Sequence, residues 1–147
     1  MYRLGSLNER GLYGKPYDYL KMWEEASDHG HLEALTDMGY LYENGLEDED
    51  TGRTILEPNA DKALSYYSKA ASKHFPRAMN NLATFYFGNE KYRDERKCLR
   101  YLEDAAEAEY VKALHNLGVI NYEGKLVPYD EEKAKNLIRR AAEKGDI

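Results

Sequence analysis

The chain has 147 residues, 42% hydrophobic and 33% charged, which is enough apolar material for a core and a length that suits one domain. A formal charge of −6 and a pI near 5.3 exclude the clustered Lys and Arg that binding by counterion release needs, so nucleic acid is not an expected partner. No apolar run approaches the roughly 20 residues that span a bilayer, and the start, MYRLGSLNERG, lacks the apolar centre of a signal peptide.

In chain order, Leu4 and Gly5 stand before Gly11 as Leu117 and Gly118 stand before Gly124, so residues 1–11 read as the back half of a helix. Tyr19, Met22, Trp23, Ala26 and Ser27 follow at spacing 0, 3, 4, 7 and 8, one face of an α-helix that ends at Gly30. Ala34, Met38, Gly39, Tyr42 and Gly45 mark the next helix. The segment 46–58, with its acidic run Glu47 to Asp50, reads as a solvated loop, with contact to a partner as the sharper alternative. Asn59 then opens, as an N-cap, a helix with the stripe Ala63, Tyr66, Tyr67, Ala70 and Ala71. The same two patterns return as Ala78, Leu82, Ala83, Tyr86 and Gly88, then Cys98, Tyr101, Leu102, Ala105 and Ala106. They return again as Ala113, Leu117, Gly118, Asn121 and Gly124, then, after the N-cap Asp130, as Ala134, Leu137, Ile138, Ala141 and Ala142, with Gly145 closing.

The second-helix stripes start at 19, 63, 98 and 134, steps of 44, 35 and 36 residues, the period of helix-pair solenoids. From each second helix to the next first helix the step is always seven residues, whereas the gap inside a pair varies from 8 to 18. One junction is therefore fixed by packing and the other collects insertions. Gly39 and Gly118, with Ala83 in the same place, suggest crossings where backbone meets backbone; Gly45, Gly88 and Gly124 read as helix C-caps. Pro16, Pro58, Pro76 and Pro128 fall at or near helix starts, and no strand pattern competes.

With these residues aligned, the chain resembles the Sel-one-like repeat family, a branch of the tetratricopeptide-related α/α solenoids. ALHNLGVINYEG followed by EEKAKNLIRRAAEKGD carries the family pattern, as do ALTDMGYLYENG and DKALSYYSKAASKHF with their own variations. Asn121 departs from it at the place of Tyr42 and Tyr86, which predicts a looser seam. The implied fold is all-α, a right-handed α/α solenoid of about four helix-pair repeats in one domain: an incomplete 1–31, then 32–77 with the long loop 46–58, 78–112 and 113–147. The pattern at Ile147 would continue with another leading Ala, so the ends are expected to join a longer chain or to associate end to end.

In such solenoids the first helices line the concave side. That places Asp37, Asn81 and Asn116 in one outward row, beside Tyr40, Thr84 and Val119 and beside Glu43, Phe87 and Tyr122. Asp37, Tyr40, Asn81, Thr84, Phe87, Asn116 and Tyr122 are thus the expected partner-binding residues, with a hydrogen bond between repeats as the structural alternative for the Asn row and packing beneath a loop or a neighbouring repeat as that for Phe87 and Tyr122. No nucleophile elbow, phosphate-binding glycine loop or paired carboxylates stand out. His29 and His31 flank a turn glycine without further metal-ligand spacing. No catalysis, cofactor or metal is expected. The sole cysteine, Cys98, takes the place of Ala63 and Ala134, which implies a small buried role; it excludes an intrachain disulfide and points to the cytoplasm, with a luminal or secreted setting as the alternative. The expected function is an adaptor or scaffold holding a peptide or protein on the first-helix surface, without membrane insertion. The alternative is a structural or regulatory subunit docking through its edge and acidic loop.

Overall fold

The computed structural model describes residues 2–3 and 16–145. Among them are seven helices, α1 (Pro16–Asp28), α2 (Leu32–Asn44), α3 (Ala60–Ala71), α4 (Pro76–Gly88), α5 (Glu95–Glu107), α6 (Val111–Glu123) and α7 (Glu131–Glu143), and three short strands, β1 (Tyr2–Arg3), β2 (Leu46–Glu47) and β3 (Thr54–Leu56). The chain divides into two compact units between Lys73 and His74. In the first, α2 packs on α1 and on α3; in the second, α4 packs on α5, α5 on α6 and α6 on α7.

The long insert meets water at its acidic turn, where Glu49 and Asp50 are exposed, but it is a short hairpin rather than the irregular loop expected. Leu46 is fully buried, and β2 pairs antiparallel with β3 and parallel with β1. Asp48 builds the turn between β2 and β3: its carboxylate accepts the N–H groups of Asp50 at 2.9 Å and Thr51 at 3.4 Å, and Gly52 bonds back to its carbonyl at φ +71. A three-residue Thr-Ile-Leu strand is too short for an alternation to be visible in sequence, which is why an all-helical reading missed it. The strand at Tyr2–Arg3 also overturns a helix at the extreme start; the remainder of that expected helix, residues 4–11, lies outside the described residues.

Each helix pair is closed in the same way whatever its loop length. The N–H of Asn59 donates to the carbonyl of Tyr42 at 2.6 Å, that of Asp94 to Tyr86 at 2.9 Å and that of Asp130 to Asn121 at 3.1 Å. The same three residues cap the second helices, accepting the N–H groups of Lys62, Lys97 and Lys133 at 3.1, 3.1 and 3.0 Å. Asn59 and Asp130 are legible as caps in the sequence; Asp94 joins them.

The seven-residue junctions have a backbone cause. Gly30 donates to Ser27 and His31 to Ala26; Glu109 donates to Ala106 and Tyr110 to Ala105. These paired bonds, 5→2 and 6→1, end a helix with one residue at positive φ. Gly30, His74, Glu109 and Gly145 all have that φ, at +80, +58, +62 and +91, and their spacing repeats that of the stripes. On the first helices, Gly45 and Gly124 are caps as expected. Gly88 is not: it is helical, and Asn89 takes the cap position with its N–H on Phe85.

The small residues of the first helices admit side chains rather than a neighbouring backbone. A Cβ on Gly39 would lie 2.5 Å from Cδ1 and 2.7 Å from Cε1 of Tyr67; one on Gly118 would lie 2.8 Å from Cγ1 of Ile138 and 3.4 Å from the carbonyl oxygen of Ala134. The expectation of backbone against backbone is thus corrected to a ring seated on a glycine in α2. Tyr67 is fully buried, and its hydroxyl donates to Oε1 of Glu43 at 2.8 Å. Burial pushes the Glu43 carboxyl up, against the lowering effect of that bond.

A second ring position recurs. Tyr42 stacks on Tyr66 with centroids 5.6 Å apart and Tyr86 on Tyr101 at 6.2 Å, both nearly parallel. Cations cover both outer faces, Lys62 and Lys69 in the first pair and Lys97 and Arg100 in the second. In α6 the place is held by Asn121, buried and donating to the carbonyl of Leu117 at 2.8 Å. The α1 stripe is less covered: Met22 is 60% exposed, while Trp23 and Ala26 are half-buried.

Four substitutions test these contacts. Gly39→Ala drives a methyl into the Tyr67 ring and should cost about 1–3 kcal/mol, whereas Gly88→Ala, with nothing within 4 Å of the new Cβ, should stabilise by about 0.5 kcal/mol; urea midpoints of the two variants would move in opposite directions. His74→Gly removes a left-handed non-glycine residue and should stabilise by about 1 kcal/mol in the same assay. Because the Glu43 pKa is raised in the folded state above its ordinary 4.5, its contribution to stability is complete below that value and lost as pH rises through the folded pKa. Glu43→Gln should therefore gain stability relative to wild type at neutral pH and not at pH 4, as read from melting temperatures across that range.

Candidate functional site: a groove on the first helices

In the second unit the outward faces of α4 and α6 enclose a cavity of about 400 Å³. Thr84 and Phe87 form one wall and Asn116, Val119, Ile120 and Glu123 the other, with Cys98 and Leu102 of α5 among the lining residues. Asn116, Val119, Ile120 and Glu123 are spaced 0, 3, 4 and 7, a single helix face separate from the core stripe of α6. The width of the groove is set by a hydrogen bond between repeats, from Nδ2 of Asn116 to Oδ1 of Asn80 at 3.3 Å. Asn80 is 4% exposed, one of the few polar residues admitted to the interior. The Cys98 thiol is buried, and burial, with Glu95 nearby, pushes its pKa up, so it is an apolar surface rather than a nucleophile.

A smaller cavity of about 150 Å³ continues the groove, sharing Phe87, Ile120 and Glu123 and adding Arg93, Glu95, Lys125 and Leu126. Arg93 is fully engaged there: it pairs with Glu95 at 2.9 Å, lies 5.0 Å over the Phe87 ring and donates to the Phe87 carbonyl at 3.3 Å.

Of the residues expected from sequence, the groove brings together Thr84, Phe87 and Asn116. Asn81 is half-buried beside it, its carbonyl accepting the Thr84 hydroxyl at 2.9 Å. Tyr122 is 60% exposed outside the groove, edge-on to Tyr129. The row Glu43, Phe87 and Tyr122 therefore does three different things, since Glu43 holds Tyr67. In the first unit, Asp37 lines a wider and shallower concavity of about 720 Å³ with Trp23, His31 and Glu33, and Tyr40 is exposed on α2. Sequence reasoning missed Ile120, Glu123 and His115 as lining residues, although the spacing from Asn116 carries the first two. It had no signal for the Leu102 floor.

Among the described residues no three His, Cys, Asp or Glu side chains are grouped to hold a metal, and no helix is long and apolar enough to cross a membrane. The groove has the features of a contact surface: apolar walls and few polar groups.

Comparison with known proteins agrees with this architecture. The Sel1 repeat model matches four times, at residues 1–31, 32–75, 76–110 and 111–146. The chain is 30% identical over 118 residues, 80% of its length, to an uncharacterized protein of Neisseria meningitidis serogroup B, of which it spans 24%. Among solved structures, it is similar to a protective antigen of uropathogenic Escherichia coli displaying an SLR fold, with TM-score 0.74 and 30% identity over 97% of this chain and 29% of that one. It also shares the fold of a Sel1 repeat protein from Oxalobacter formigenes, with TM-score 0.73 and 23% identity over 91% of this chain and 98% of that one. The chain thus spans about a quarter of the Neisseria relative it matches. Its four matched repeats, with the paired helices and recurring caps of the three described hairpins, make it a member of the Sel1 repeat family, α/α solenoid proteins that generally mediate protein–protein interaction.

Proposed function

We propose that the chain is an adaptor that holds a protein or peptide partner along the outward faces of its first helices, and that the α4–α6 groove is its principal contact. The observation that supports this most directly is apolar surface left over after the core is complete. Ala113, Leu114, Leu117, Gly118 and Asn121 already bury the inner face of α6, yet Val119 and Ile120 extend apolar surface outward beside a Phe87 that is 45% exposed. Such surface stays in water at a free-energy disadvantage unless something covers it.

The competing surface is the turn between β2 and β3, where Glu49 and Asp50 are exposed on a hairpin anchored by Leu46. Hydrogen exchange on the full chain, alone and in complex with a partner recovered by affinity capture, separates the two. Protection over residues 84–87 and 115–123 is the expected result. Protection confined to residues 46–58 would transfer the contact to the insert and refute the groove.

A further inference from the structure

The groove has a charge pattern that its apolar character hides. Glu123 is the one carboxylate lining the 400 Å³ cavity, and it also lines the 150 Å³ one, so it stands where the two join. The remaining polar lining residues of the larger cavity, Thr84, His115 and Asn116, carry no carboxylate or fixed positive charge. Among the described residues Glu123 has no ion-pair partner. The nearby Arg93 is committed to Glu95 and to Phe87. Lys125 lines only the smaller cavity, beyond the apolar walls. The chain as a whole carries a formal net charge of −6, which favours the approach of cationic segments over acidic ones.

We infer that the groove takes a linear peptide segment that places one bulky apolar side chain against Phe87, Leu102, Val119 and Ile120 and a Lys or Arg, one or two residues away, on the Glu123 carboxylate. This rests on the reading of the groove as the partner surface, and adds to it the chemistry of the partner. The apolar side chain supplies the burial and the cation fixes its direction: an acidic neighbour in its place would meet Glu123 as a like charge.

The test is selection of random linear dodecapeptides on the full chain, followed by titration of the enriched peptides, labelled with fluorescein, against variants whose melting temperatures are checked. Thr84→Arg blocks the groove from an exposed helix position, Glu123→Gln and Glu123→Lys change the carboxylate, and Glu103→Lys, exposed on α5, repeats the change in net charge elsewhere. Enriched peptides should share a Leu, Met or Phe next to Lys or Arg. Their affinity should fall about fivefold on Glu123→Gln, the scale of one partly exposed ion pair, and further on Glu123→Lys. Binding should be lost on Thr84→Arg and unchanged on Glu103→Lys. Peptides lost on Thr84→Arg but indifferent to both Glu123 variants, or enriched in Asp or Glu, would leave the groove in place and overturn the cation. Peptides that bind wild type and Thr84→Arg alike, or no enrichment, would overturn the groove as well.

Discussion

One backbone hydrogen bond closes every described hairpin: the N–H of the residue that caps the second helix reaches back to the carbonyl of residue 42, 86 or 121 on the first. A helix end leaves four carbonyls and four N–H groups without partners, and this bond satisfies one of each kind of end with a single contact. It also fixes where the second helix starts. Because the capping side chain then bonds forward to the third N–H of its own helix, register is settled by one residue, and the residues before it are unconstrained. That is how one hairpin holds an insert with two strands while the other two manage with short turns. The opposite junctions share a positive φ, with paired carbonyl contacts at Gly30 and Glu109, and allow no such variation.

The interior of each hairpin follows from that register. A ring from the second helix lies over Gly39 in α2, and Ile138 lies over Gly118 in α6. Next to it the stacked tyrosines bridge the two helices, and burial pushes the hydroxyls of Tyr42 and Tyr66 above the usual phenol range. Lysine and arginine at the flanking helical positions cover the faces of the rings. In α6 the substitution of Asn121 removes the ring and leaves a buried carboxamide; it avoids the cost of an unpaired amide by donating to a carbonyl one turn back. The looser seam expected there is accordingly a polar one, with Tyr122 turned out to meet Tyr129 instead.

Much of this was legible because helical packing repeats in sequence. Four stripes in register fix the helices, and the constant seven-residue step marks a stereotyped turn even where His74 and Glu109 hide the glycine signal. The strands were not legible: Leu46 and Thr54–Leu56 are too few for a period, and the acidic residues between them dominate any reading by composition. Gly88 misled for a related reason, since a glycine near a helix end is an ambiguous sign when its φ is unknown. At the groove, Thr84, Phe87 and Asn116 could be placed because they occupy equivalent outward positions. Asn80 could not, because a polar residue at a core position reads as noise until its partner, Asn116, is seen 36 residues away.

That bond also explains why a cavity exists between α4 and α6 at all. The first helices α4 and α6 are joined through buried Asn80 and the groove-lining Asn116, with α5, the helix between them in sequence, supplying lining residues beneath. If the outward side chains of α4 and α6 were long and mutually attractive the gap would close. Instead Thr84 is short and turned to its own backbone, Phe87 is held to its side by Arg93, and Val119 cannot reach across. The neighbouring stripe of α5 offers Cys98 and Leu102 at the base, where a larger residue than cysteine would fill the space from below. The cavity is thus a product of size at four or five positions. Cys98 and Leu102 also belong to the buried stripe of α5, whereas Thr84, Phe87 and Val119 lie outside the core stripes, so their identity is open to selection by whatever the groove holds.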